Sequence, residues 1–186
     1  TQMDKTKQYR VGDLDIRIIF KGDNNESLLP SFDVFEVETA DKPLIFTLTV
    51  DDSFLPSNKG EEIGQFDCGG ANHGIYKLAD DGYAIHIASP EGNPSCVLEA
   101  NADFTKCKAT LIAADEDTKQ FGLNNAIMIC FAFSGAYHDI LLVHASVPMI
   151  DDKGYLFLGK SGTGKSTHCK LWLDNFETAE LLNDDN

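Results

Sequence analysis

The sequence predicts a mixed α/β (α+β) protein, a β-rich N-terminal region followed by a smaller region built on a strand, a glycine loop and a helix. Three observations carry this expectation. Residues 1–117 are filled with short apolar segments that alternate with polar residues. The texture changes near Asp117 to longer apolar runs. Beyond that point "GKSGTGKS", residues 159–166, follows an apolar stretch and precedes residues at helical spacing. The expected organisation is therefore 1–117 as the β-rich region and 118–186 as a nucleotide-binding region.

Each element has its own reason. "YRVGDLDIRIIF" alternates through Val11, Leu14, Ile16 and Ile18, and "PLIFTLTV" is a β-branched and aromatic run; both read as strands. "GIYKLADDGYAIHIAS" reads as a hairpin, with a turn at Asp80-Asp81-Gly82 and positive φ expected at the glycine. "SCVLEA" and "KCKATLI" continue the meander. "NNAIMICFAFSGAYHDI" is apolar nearly all round and suits a buried helix capped by Asn124 or Asn125. "LLVHASVPMI" and "YLFL" then read as two strands joined by the turn "DDKG".

Composition excludes several classes of function. With 30 acidic against 15 basic residues the net charge is -15, and such a field repels nucleic acid and anionic membranes. No segment approaches the ~20 apolar residues of a membrane span. The opening "TQMDKTKQYR" lacks the features of a secretory signal, so the expected location is cytoplasmic. Cys68, Cys96, Cys107, Cys130 and Cys169 have neither CxxC pairs nor regular spacing, which suits reduced thiols.

Residues 159–166 fit GxxxxGK[ST] in full. Gly159, Gly162 and Gly164 let the backbone bend so that N–H groups point inward, and the following helix brings its positive end to the same spot. Lys160 and Thr163 contribute chiefly through their backbone, with Ser161 between them in the loop and Thr167 in the first helical turn. Lys165 would reach the β- and γ-phosphates of ATP, and the Ser166 hydroxyl would coordinate Mg²⁺ held between them. The helix is expected over "STHCKLWLDNF", where Cys169, Trp172, Leu173 and Phe176 recur at helical spacing.

Downstream, Leu181 and Leu182 precede Asp184 and Asp185. An Asp-Asp pair alone suits a solvated turn, but one helix after a phosphate loop it offers oxygen ligands for Mg²⁺ and a general base. His144 ends the strand before the hairpin. His73, His86, His138 and His168 read as structural residues.

The combination "HASVPMIDDKGYLFLGKSGTGKS...LLNDDN" resembles the nucleotide site shared by HPr serine kinase/phosphorylases and ATP-dependent phosphoenolpyruvate carboxykinases, over residues 141–186. "HAS" at this distance from "GKSGTGKST" is most similar to the HPr-kinase-related proteins. The resemblance implies a partial HPr kinase/phosphoenolpyruvate carboxykinase-like P-loop domain and an ATP-binding, Mg²⁺-dependent protein or peptide serine kinase, with Mn²⁺ as an alternative cation. It implies that residues 159–167 hold ATP, that Asp184 is the base and Asp185, with Ser166, the metal ligand, the two aspartates being exchangeable, and that His144 lies near the transferred phosphate or the metal. In that family further segments follow the Asp-Asp pair, which implies a domain truncated at its C-terminus. The expected partners are a nucleotide and a protein or peptide acceptor, with self-association left open. The alternatives are a carboxykinase-like enzyme acting on oxaloacetate and a non-catalytic nucleotide-sensing module.

Overall fold

The alternating segments of the N-terminal region become strands of one eight-stranded sheet. The computed structural model describes residues 3–22, 25–57, 60–67 and 72–184; Cys68 and Asp185, both named above, lie outside them. The protein is mixed α/β, with a large sheet, a small one and few helices. It divides into two units, Thr1–Ile140 and Leu141–Asn186.

In the first unit the strands are β1 (Lys5–Val11), β2 (Leu14–Lys21), β3 (Leu44–Asp51), β4 (Glu61–Asp67), β5 (Asn72–Lys77), β6 (Tyr83–Ala88), β7 (Pro94–Ala100) and β8 (Lys106–Leu111). They lie in the order β1-β2-β3-β8-β7-β6-β5-β4. β3 runs parallel to both β2 and β8, and the remaining neighbours are antiparallel. The first alternating segment is thus a hairpin rather than one strand. Gly12, at φ 61, turns the chain, and the alternation shifts by one position there, so that Val11 pairs with Leu14 across the turn.

The expectation about the next turn changes too. In the β5–β6 connection the positive φ belongs to Asp81 (φ 64). Gly82 is required by space instead, because a Cβ there would lie 2.6 Å from the Ala100 carbonyl oxygen.

A 20-residue helix, α1 (Glu116–Gly135), packs on β7, β3, β8 and β6. Its cap is Asp115, whose Oδ1 accepts from the Thr118 N–H at 2.8 Å, so the helix starts well before Asn124 or Asn125. Glu116 and Asp117 in the first turn complement the positive helix end. Asn125 instead donates to the Phe121 carbonyl inside the helix, at 2.9 Å. Since α1 covers the large sheet, the division of the chain falls after Ile140 and not near Asp117. The core lies between them: Ile16, Ile18, Leu48, Leu98, Leu123 and Cys130 are fully buried, each large aliphatic side chain contributing about 1.5–3 kcal/mol. No described helix is long and apolar enough to cross a membrane.

One buried charge is managed by the β1–β2 hairpin. The Asp15 carboxylate is fully buried and accepts from Arg10 Nε at 2.8 Å, Arg10 Nη2 at 3.2 Å and the Lys42 N–H at 2.9 Å. The Arg10 guanidinium, and then the Lys42 N–H, hold its carboxyl below the usual range against the opposing effect of burial. A depressed carboxyl stabilises the fold fully above its unfolded pKa, ~3.9, and the contribution is lost as pH falls through the folded value. Urea unfolding of Asp15→Asn is expected to show a lower midpoint than wild type at pH 7, with the gap closing below about pH 4. A gap independent of pH would show that the carboxylate charge contributes nothing.

The second unit is built around β9 (Ala145–Ile150), with β10 (Lys153–Gly154), β11 (Phe157–Leu158), α2 (Lys165–Asn175) and β12 (Glu180–Asn183). β10, β11 and β12 all pair antiparallel with β9. Because Met149 faces both Gly154 and Glu180, β10 and β12 lie on opposite edges. The connection expected over "DDKG" is a two-residue turn: Asp151 (φ 50) and Asp152 (φ 59) both take positive φ, as a type I′ hairpin requires. Trp172 secures α2 to β11, its ring centroid 4.9 Å from Tyr155, 5.5 Å from Phe157 and 5.3 Å from Phe176.

Candidate functional site

The loop expected to cradle phosphate lies between β11 and α2, so the strand, loop and helix follow in the order the motif requires. Gly162 (φ 80) and Gly164 (φ 92) hold conformations that disfavour side chains. Gly159 serves a different purpose, since a Cβ there would lie 2.7 Å from Thr163 Oγ1. That hydroxyl donates to the Lys160 carbonyl at 2.8 Å, and the Thr163 N–H reaches the same oxygen at 3.2 Å. Lys160 thus enters the loop through its carbonyl.

Lys165 is 6% exposed, with Nζ donating to the Gly159 carbonyl at 2.9 Å and the Lys160 carbonyl at 3.3 Å. The ammonium is therefore held within the loop. Gly164 caps α2 without a side-chain acceptor, and the helical ladder begins with the His168 N–H donating to the Gly164 carbonyl at 2.9 Å. The amides preceding it in the first turn have no intrahelical acceptor, which is the electrostatic setting that favours an anion.

Strand β9 brings a third group to the loop. Ser146 Oγ donates to Asp184 Oδ1 at 2.9 Å and lies 3.4 Å from Ser166 Oγ. Asn183 fastens β12 beside it, its Nδ2 donating to the Ala145 carbonyl at 2.9 Å. The structure therefore gathers Lys165, Ser166 and Asp184 in one unit. A cleft of about 550 Å³ opens between α2 and β12, bordered by Ser166, Thr167, Lys170, Leu181 and Asp184. Cys169, also on its wall, is buried, and burial followed by the charge of Asp184 pushes its thiol up, so it stays protonated at neutral pH.

His144 is placed differently from the expectation. The segment 141–144 is exposed and outside any strand, because β9 begins only at Ala145. Its backbone position is still adjacent to the loop: Ala145 pairs with Leu158, so His144 and Gly159 are the residues next beyond that pair. Asp185 lies outside the described residues.

Ser146 is the site residue that motif reasoning missed. A small polar residue inside the apolar run "ASVPMI" was the available signal. Its meaning depends on α2 and β12, which come together only in the fold.

The donor set at Ser166 and Asp184 consists of hard oxygens and so suits Mg²⁺, which is usually bound by one or two protein oxygens together with substrate phosphates. Among the described residues no group of three His, Cys, Asp or Glu could hold a metal alone.

No family model, curated protein or solved structure matches this chain.

Proposed function

We propose that the second unit binds a Mg²⁺-nucleotide and belongs to an ATP-dependent kinase, related to the HPr serine kinases, that transfers a phosphoryl group to a serine hydroxyl of a protein or peptide. The observation that carries this reading is the convergence of a buried Lys165 within the glycine loop and the Ser166–Ser146–Asp184 cluster beside it. The loop amides and Lys165 would hold the β- and γ-phosphates. Mg²⁺ bound at Ser166 would neutralise charge that develops between those phosphates. The acceptor oxygen forms its bond to the γ-phosphorus as the bond to the β,γ-bridging oxygen breaks. ADP leaves, and the hydroxyl proton passes to a carboxylate. The contact of Asp184 with Ser146, next to Ser166, favours Asp184 on the cation side. That is the exchange of roles which the resemblance allows, and it leaves the base role to Asp185. His144, next to the first loop glycine, would stand near the phosphates.

The test is titration of the chain with ATP, ADP and AMP in the presence of Mg²⁺, followed by the fluorescence of its single tryptophan, Trp172, and by label transfer from γ-labelled ATP to a serine-peptide pool. Saturable binding of ATP and ADP but not AMP, with label on serine, is the expected result. Binding without any transfer would leave the nucleotide-sensing module in its place. Absence of binding would overturn both.

A further inference from the structure

Ser146 is fully buried in β9, between the buried Ala145 and Val147. A buried hydroxyl without partners costs about 1–3 kcal/mol, so an apolar residue would serve packing better here. Its hydrogen bonds account for it. A carboxylate only accepts, hence the one Ser146 proton goes to Asp184 Oδ1, at 2.9 Å. Towards Ser166 Oγ, at 3.4 Å, Ser146 can then act only as the acceptor. The Ser166 proton is thereby drawn towards β9, and the Ser166 lone pairs are left for a ligand on the other side.

We infer that Ser146 is a positioning residue: through a run of hydroxyls with fixed polarity it aims the Ser166 lone pairs and the Asp184 carboxylate at the divalent cation of a bound nucleotide. The inference rests on the proposed function and adds a residue to it. Two features hold Ser146 in place. Phe157 of β11 pairs with it across the sheet, and the Asn183 side chain binds the carbonyl of the preceding residue. Ser146 touches neither phosphate nor acceptor, and acts through Ser166 and Asp184.

The experiment is calorimetric titration of ADP into the full chain, with Mg²⁺ and with excess chelator, for wild type, Ser146→Ala and Ser146→Thr. Groups that orient metal ligands typically change metal affinity by about 10–100-fold. Ser146→Ala is therefore expected to weaken Mg-ADP about tenfold while ADP alone changes less than about twofold, and Ser146→Thr, which keeps the hydroxyl, to recover most of the loss. Equal weakening with and without Mg²⁺, or an unchanged benefit from Mg²⁺ in Ser146→Ala, would overturn the inference while leaving the nucleotide site standing. A wild-type chain that binds no ADP would overturn the proposed function, and this inference with it. Thermal unfolding monitored at Trp172 separates the alternatives further, because a purely structural role would lower stability without altering the ratio of the two affinities.

Discussion

Lys165→Ala is expected to weaken Mg-ATP binding by at least about 100-fold, or about 2.7 kcal/mol, the range for losing a charge-assisted contact in a largely desolvated site. Two properties of the lysine set the size of this effect. The residue is only 6% exposed, so a phosphate that meets its ammonium replaces little water. It is also the cation held within the loop of a chain whose net charge is -15, where the long-range field opposes any anion. Attraction must therefore come from groups within a few ångströms of the phosphates. Lys165→Met removes the charge but keeps most of the volume, and it should lose as much affinity as the alanine variant. The loop itself should survive both changes, since the Thr163–Lys160 bonds and the close approach of Gly159 to Thr163 do not involve the ammonium. An unchanged Trp172 emission spectrum would check that. Affinity within a few-fold of wild type in both variants would mean that the loop amides alone hold the nucleotide, or that the nucleotide binds elsewhere.

The parts of this protein that could be read from its sequence are those governed by neighbours along the chain. The glycine loop was one: its residue types, the strand before it and the helix after it are all local. The β5–β6 hairpin was another, although the reason for Gly82 lay in β7, and only the fold shows it. Helix α1 was recognised by its apolar half, while its first two turns, "EDTKQF", hide among polar residues, and so its Asp115 cap was missed. The same gap moved the expected boundary to Asp117, because nothing local shows that α1 lies on the first sheet. The parallel placement of β3 between β2 and β8 joins residues thirty positions apart (Ile16 and Phe46) and fifty-nine apart (Thr47 and Lys106), and has no signature in alternation. Ser146 belongs to this second group. Its neighbours Ser166 and Asp184 are twenty and thirty-eight positions away, so a serine in an apolar strand looks like a minor exception until the strand is packed.

Gly122→Ala should destabilise the first unit although it replaces glycine in a helix interior. Helix propensity alone predicts the reverse, a gain of about 0.8–1.0 kcal/mol. Packing decides the sign. At Gly122, in α1, a Cβ would lie 2.1 Å from Ser95 Oγ, 2.9 Å from the Cys96 Cβ and 3.1 Å from the Ser95 Cβ, all on β7. Rotation of Ser95 could relieve the first contact, but its buried hydroxyl would then give up its bond to the Thr118 carbonyl of the same helix. The other two contacts involve atoms next to the backbone, so the helix must move away from the sheet, and the core beneath it loses close packing. Such overpacking typically costs 1–3 kcal/mol, and because several contacts act together the upper part of that range applies. The net loss is expected to be about 1–2 kcal/mol, read as a lower urea midpoint at an unchanged slope. Ser95→Ala combined with Gly122→Ala should recover only part of it, because the contacts with the Cys96 and Ser95 Cβ atoms remain. Full recovery would assign the whole conflict to the Ser95 hydroxyl. A raised midpoint in Gly122→Ala alone would show that α1 can withdraw from β7 at little cost, and that this glycine is not needed for the approach of helix to sheet.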